Sequence, residues 1–273
     1  MDKESFKFRY QLAGGRIPLN AHISIGKAFT VIAGPCAVES EEQVRRIARK
    51  LRTMGVRLLR GGAFKPRTSP YAFQGLGGEG LRIMRSVADK LGMLVVSEVM
   101  DARDIDLFEL HNIDVLQVGA RNMQNFTLLK ELGKIRRPIL LKRGMGSSLD
   151  ELLMASEYIL AGGNKRVILC ERGIRTFETS TRTTLDISAV AALKERTNLP
   201  VIIDPSHAAG VPHFIPSLMR AAVAVGAAGV LVEVHDRPHD ALCDGKQALS
   251  PAVFAKTLGE MKKIAAVVGK KLQ

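Results

Sequence analysis

Apolar positions along the chain alternate between two rhythms. Short, β-branched runs recur as TVIAGPC (30–36), RLLRGGAF (57–64), LVVSEV (94–99), VLQVGA (115–120), ILLKRG (139–144), VILCER (167–172), VIIDPSH (201–207) and VLVEVH (230–235). Between them lie segments with helical spacing. Ser40 and Gln43 form a capping box before Val44, Ile47, Ala48, Leu51 and Met54, and Gly55 suits the stop. Ser148 and Glu151 repeat the box before a helix that ends at Gly162 and Gly163. Pro212 and Pro251 suit first-turn positions. Near-continuous apolar strands alternating with helices predict a parallel sheet covered by helices. Eight such units favour closure into a (β/α)8 barrel, an α/β fold, over an open doubly wound sheet. No GxGxxG follows the first strand, which weakens a dinucleotide-binding alternative.

Residues 1–28 lie outside the repeat and read as a short strand or hairpin extension, fit to plug the barrel floor or join an oligomer contact. Residues 29–273 form the predicted catalytic barrel. No Pro/Gly/Ser-rich linker marks a second domain, and 273 residues suit one barrel of roughly 250.

The first ten residues, MDKESFKFRY, lack the apolar core of a signal peptide. The most apolar stretch, Ala221 to Val232, is interrupted by Gly226 and Gly229 and is short of the roughly 20 residues a spanning helix needs. A soluble, cytoplasmic protein with no membrane partner is expected. Three cysteines argue against a disulfide scaffold. A net charge of +13 fits a nucleic-acid partner or an anion-binding enzyme. The cations are dispersed, with no basic tail, which favours the enzyme and no nucleic acid.

Barrel enzymes carry their sites at the C-terminal ends of the strands. Two groups occupy those ends here. Cys36, His207, Glu233 and Asp244 come from the first, seventh and eighth strands and the loop after the eighth. Closure brings them together, and thiolate, imidazole and carboxylates suit one divalent transition metal of the Mn, Fe, Co or Zn class. Taken singly, Cys36 reads as a small buried residue and Glu233 as a paired acid. Arg60, Lys65, Arg67, Arg121, Lys142 and Arg172 form the second group. Cations at strand ends need partners. Salt bridges to the neighbouring acids would account for one or two, and the set as a whole suggests a highly anionic ligand. The long loop KPRTSPYAFQGLGGEG (65–80) has the character of a substrate loop.

The segments AGPCAVES (33–40), LRGGAFKPRTSPYAFQGLG (59–77), VGARNMQNFTLLKELG (118–133), LLKRGM (140–145), LCERGIRTFE (169–178), DPSHAAG (204–210) and VEVHDRP (232–238) resemble 3-deoxy-D-arabino-heptulosonate 7-phosphate synthase, in its compact subtype related to 3-deoxy-D-manno-octulosonate 8-phosphate synthase. The resemblance implies a C–C bond-forming transferase. It joins phosphoenolpyruvate to erythrose 4-phosphate with water and releases phosphate, the entry to the shikimate pathway, chorismate and the aromatic amino acids. By motif, Cys36, His207, Glu233 and Asp244 correspond to metal ligands. Arg60 and Lys65 would meet the phosphoenolpyruvate carboxylate, and Ala120, Arg121, Lys142 and Arg172 its phosphate. Arg67, Thr68 and Ser69, in a run with Pro66, would receive the aldose phosphate. The octulosonate relative typically shows K-A-N-R-S where this chain has Lys65-Pro66-Arg67-Thr68-Ser69, which favours the four-carbon aldose over arabinose 5-phosphate. Cys36 places the chain with metal-dependent forms. No appended ACT-like or chorismate-mutase domain is expected, and a homo-oligomer, tetramer or dimer, is expected.

In the expected mechanism the metal polarises the aldehyde. Lys65, or a metal-bound water, donates a proton to the aldehyde oxygen, and Glu98 or His207 orients the attacking water. Cys243, beside Asp244, is expected to approach Cys36 and to form a disulfide with it in metal-free protein.

Overall fold

The computed structural model describes residues 8–67, 69–243 and 245–273. All the apolar runs become parallel strands of one closed barrel. β3 (Thr30–Gly34) is followed by α2 (Glu41–Thr53), β4 (Leu58–Arg60) by α3 (Gly78–Leu91), β5 (Leu94–Val99) by α4 (Ile105–Leu110) and β6 (Val115–Val118) by α5 (Phe126–Leu132). β7 (Ile139–Lys142) leads to α6 (Leu149–Ala161) and β8 (Val167–Glu171) to α7 (Ser188–Arg196). β9 (Val201–Ile203) leads to the short α8 (Pro205–Ala209) and then α9 (Ile215–Ala224); β10 (Gly229–Glu233) is followed by α10 (Pro251–Val267). Closure is made by β10 against β3, in register from Gly229↔Thr30 to Glu233↔Gly34. That pairing sets the ends of the first and last barrel strands side by side.

The helix starts follow the local chemistry. Ser40 Oγ accepts from the Gln43 amide, and Ser148 and Glu151 form the reciprocal capping box. Two apolar layers result. The larger lies between strands and helices, with Val31, Leu59, Val95 and Leu141 packed against residues such as Val44, Leu81 and Leu152. The smaller fills the barrel itself, where Ile32, Leu58, Val96, Val115, Leu140, Ile168, Ile202 and Leu231 point inward.

The N-terminal segment closes the floor of that interior. β1 (Ile17–Pro18) and β2 (Ser24–Ile25) pair antiparallel as a hairpin. Its Ile17, Ile23 and Ile25 join the inward-facing cluster. Each fully buried isoleucine contributes roughly 1.5–3 kcal/mol through burial. Arg166, one residue before β8, donates to Pro18 O at 2.6 Å and ties the hairpin to the strand starts. The stretch ahead of the hairpin departs from a strand. α1 (Arg9–Leu12) is a single helical turn, because its backbone is taken up by α6 instead of a sheet edge. The Tyr10 amide donates to Glu157 at 2.7 Å, and Arg9 reaches the α6 carbonyl of Leu160 at 3.3 Å. With the floor sealed, the opposite end of the barrel is left for chemistry. No helix among the described residues is long and apolar enough to cross a membrane.

Candidate active site

The β10–β3 seam brings Cys36 and Glu233 to the same side of the barrel mouth. Glu233 is fully buried and saturated: Arg60 Nη1 donates to Oε1 at 2.8 Å, and Gln247 Nε2 donates to Oε2 at 2.6 Å. Burial alone would raise its carboxyl, but His207, Arg60 and Lys65 outweigh that and bring it down to about 2. His207 Nε2 stands 3.4 Å from the same Oε1. The other ring nitrogen, Nδ1, lies 2.7 Å from Asp204 Oδ2, which also accepts from Lys142 Nζ at 2.5 Å. Asp204 is buried, which raises its carboxyl, yet His207 and Lys142 hold it well below the usual range. It can therefore only accept, so Nδ1 carries a proton toward it, and in the neutral ring Nε2 presents a lone pair. Burial also lowers the His207 value, which favours the neutral ring.

Cys36 Sγ lies 3.4 Å from Cys243 Sγ and 3.0 Å from Lys65 Nζ. Arg67 Nη1 donates to Cys243 Sγ at 2.8 Å. The contact with Cys243 and burial push the Cys36 thiol well up; a bound cation reverses such a shift. Two donors about 2.1 Å from one ion, at a tetrahedral angle, stand roughly 3.4 Å apart. The His207–Glu233 pair has that spacing, and thiol, imidazole and carboxylate match a borderline divalent ion. Cys36 is turned toward Cys243 and Lys65, and no cluster of three or more His, Cys, Asp or Glu able to hold an ion is gathered among the described residues. Asp244 lies outside them.

Beside this arc a cavity of 380 Å³ opens at the barrel mouth. Among the described residues, Lys65, Arg67, Arg121, Lys142, Arg172 and Arg182 line it, against one carboxylate, Glu98. The wall is completed in part by Pro66, Ser69, Gly119, Ala120, Met145 and His207. Arg121 donates to Pro66 O at 2.9 Å, fastening the 65–80 loop across the mouth. Arg172 reaches His207 O at 3.0 Å. Glu98 accepts from Gln117 at 2.9 Å, and its carboxylate fills the space where any side chain at 119 would begin: a Cβ on Gly119 would stand 2.1 Å from Oε1. Such a set of cations around one cavity is a receptor for a polyanion.

A family model described as the DAHP synthetase I family matches residues 15–268. The chain belongs to the DAHP synthetase I family. It is 50% identical over 251 residues to a phospho-2-dehydro-3-deoxyheptonate aldolase of Thermotoga maritima, covering 92% of this chain and 74% of that relative. A 2-dehydro-3-deoxyphosphooctonate aldolase of Syntrophotalea carbinolica is 34% identical, over 87% of this chain and 91% of its own length. The crystal structure of the Thermotoga maritima DAHP synthase superposes with a TM-score of 0.93 at 47% identity, covering 97% of this chain and 79% of that one. A truncated form of the same enzyme gives 0.89 at 45%, with 96% of each chain covered. The DAHP synthetase I family is generally metal-dependent.

Of the residues singled out in the sequence, Lys65, Pro66, Arg67, Ser69, Glu98, Ala120, Arg121, Lys142, Arg172 and His207 all line the cavity. Thr68 and Asp244 lie outside the described residues. Arg60 is placed differently from a cavity wall: its guanidinium is turned beneath the rim onto Glu233 and the Cys36 carbonyl. Sequence reading did not single out Arg182, Gln247 or Asp204 as site residues. Asp204 was legible as a polar residue ending a buried strand. Arg182 sits mid-loop, outside any strand end, and carried no signal.

Proposed function

We propose that this chain condenses phosphoenolpyruvate with erythrose 4-phosphate and water, giving 3-deoxy-D-arabino-heptulosonate 7-phosphate and inorganic phosphate. The observation that carries the reading is a cavity lined by cations, set directly beside a Cys36–His207–Glu233 arc, in a chain half identical to an enzyme named for that product. Residues 29–273 act as the catalytic barrel and residues 1–28 as its extension. Cys36, His207, Glu233 and Asp244 would hold a divalent ion, of the Mn, Fe, Co or Zn class, which supplies Lewis acidity toward the aldehyde oxygen.

The protein's own groups do the rest. Arg121, Lys142 and Arg172, with the backbone of Ala120, hold the phosphate of phosphoenolpyruvate. Lys65 meets its carboxylate. Arg60, already engaged by Glu233, acts through that carboxylate and through the Cys36 carbonyl. Arg67, Thr68 and Ser69 would receive the aldose phosphate. Holding both substrates in one cavity removes most of the entropic cost of their encounter. As C3 of phosphoenolpyruvate attacks the aldehyde, Lys65 Nζ gives a proton to the aldehyde oxygen. Burial would lower the Lys65 ammonium, but Cys36, Cys243 and Glu233 raise it, so it arrives protonated. Water then adds at C2. Glu98 is the carboxylate among the described cavity residues and orients that water; His207, committed through Nδ1 to Asp204, is not free for it. The phosphohemiketal loses phosphate by C–O cleavage into the cation cluster.

A cytoplasmic setting, where phosphorylated sugars are retained, and a homo-oligomer, tetramer or dimer, belong to the same proposal. The test is phosphate release with erythrose 4-phosphate or arabinose 5-phosphate, before and after a chelator. Turnover with the four-carbon aldose, lost on chelation and restored by metal, is expected. Preference for arabinose 5-phosphate would assign the octulosonate reaction instead, and full turnover after metal removal would defeat the ligand assignment.

A further inference from the structure

The loop between β8 and α7 carries a cation that no step above uses. Arg182 lines the cavity, yet among the described residues no carboxylate pairs with it. Its guanidinium has one described side-chain partner, Gln247 Oε1 at 3.2 Å. The Gln247 amide cannot turn over without loss, because its Nε2 donates to Glu233 at 2.6 Å. Gln247 therefore fixes where Arg182 points and leaves most of its five N–H donors unspent.

The backbone under Arg182 is also fixed. Its amide donates to Ala209 O at 3.0 Å, and the Thr183 amide donates to Ala208 O at 2.9 Å, pinning this stretch to α8, which contains His207. Thr183 Oγ1 lies 3.3 Å from Arg172 Nη1, so the two arginines flank one threonine. Glu171 and Asp186, at the two ends of the loop, both bind the buried Arg143, at 2.9 and 3.0 Å. Ile174 and Thr184 add an antiparallel bridge across it. A loop that shows Phe177 to solvent thus still delivers Arg182 to a set position.

Two guanidinium groups held near one another repel. Arg172 and Arg182 line the same cavity. An anion between them removes that repulsion. We propose that Arg182 is a substrate-binding residue: with Arg172 it grips the phosphoryl group of phosphoenolpyruvate, and then the inorganic phosphate it becomes, while Gln247 sets its orientation. This inference rests on the reaction proposed above.

The experiment compares wild type with Arg182→Ala and Arg182→Lys, reading KM for each substrate, inhibition by inorganic phosphate, and direct phosphate binding by calorimetry. Thermal melts show that the variants are folded, and the lysine variant covers a failure of the alanine one. Arg182→Ala should raise KM for phosphoenolpyruvate and weaken inorganic phosphate binding about tenfold or more, the scale of a lost charge-assisted hydrogen bond. KM for the aldose should stay within about twofold, and lysine should recover part of the loss. An unchanged KM for phosphoenolpyruvate in a working enzyme, or a rise confined to the aldose, overturns the inference. An inert wild type would defeat the reaction instead. Phosphate binding then still decides the residue: weaker binding in the variant supports the anion role, and equal binding overturns it.

Discussion

Asp204→Asn is the substitution that separates the proposed roles of the metal arc from simple packing. Asp204 is fully buried and accepts from Lys142 Nζ at 2.5 Å, from the His207 ring at 2.7 Å and from the His207 amide at 3.0 Å. Asparagine keeps the shape and removes the charge. Two consequences follow. Lys142, 4% exposed, loses its counter-ion, and removing one member of a buried pair costs roughly 3–5 kcal/mol. Lys142 borders the cavity, where water can partly solvate it, so the loss should fall near the lower end, about 3 kcal/mol. At roughly 2–4 °C per kcal/mol that is a drop in Tm of about 6–12 °C. The second consequence is chemical. The asparagine amide can donate to Nδ1 and move the ring proton to Nε2, the atom facing Glu233. Loss of such support typically lowers metal affinity by about 10–100-fold. Urea unfolding reads the first effect, and metal titration of chelated protein against a competing indicator reads the second. Unfolding free energy within about 1 kcal/mol of wild type, together with unchanged metal affinity, would refute the reasoning on both counts.

Three further outcomes are expected. Gly119→Ala should reduce kcat by roughly 100-fold or more with little change in Tm, because its Cβ would displace Glu98 from a 2.1 Å approach; steady-state kinetics beside a melt would expose the opposite pattern. Mild oxidation of metal-free protein should close the 3.4 Å gap between Cys36 and Cys243 and lower the thiol count from three to one (3 − 2), reversibly with reductant and with activity following; an unchanged count would dismiss it. In acid, Glu233 and Asp204 have folded values below their ordinary ones, so their stabilisation is complete above about pH 4 and is lost as pH falls toward 2. Urea midpoints should therefore decline below about pH 4, less steeply in Glu233→Gln, and equal slopes in the two proteins would contradict the assignment.

How far the sequence could be read depended on what kind of interaction fixes each part. Strands were legible because a parallel strand covered on both faces is apolar almost throughout, as Val201–Ile203 is. Helix starts at Ser40 and Ser148 were legible because capping is local. The convergence of Cys36 with Glu233 was legible only through closure, since no local spacing relates them. The helical turn at Arg9–Leu12 was hidden because long-range partners on α6 decide it. Arg60 was singled out, but the place of its guanidinium was hidden for a similar reason. A strand-end arginine is expected to face the ligand, but a buried carboxylate two strands away, across β3, competes for it and holds it below the rim.

That competition explains how so many cations share one mouth. Lys142 stands on Asp204 and Arg60 on Glu233, both carboxylates fully buried beneath the rim. Arg143 is held in the same way by Glu171 and Asp186. Each carboxylate also serves a second group: Asp204 orients His207, Glu233 fixes Gln247, and Glu171 accepts the Gly173 amide that starts the loop to Arg182. Charge stored below the rim thus does two things at once. It offsets the self-repulsion of the cluster, and it sets the direction of groups that face the ligand. A site arranged this way gains most when an anion supplies the missing upper partners. Ligand binding should therefore stabilise the fold by far more than the contacts of any single cation suggest.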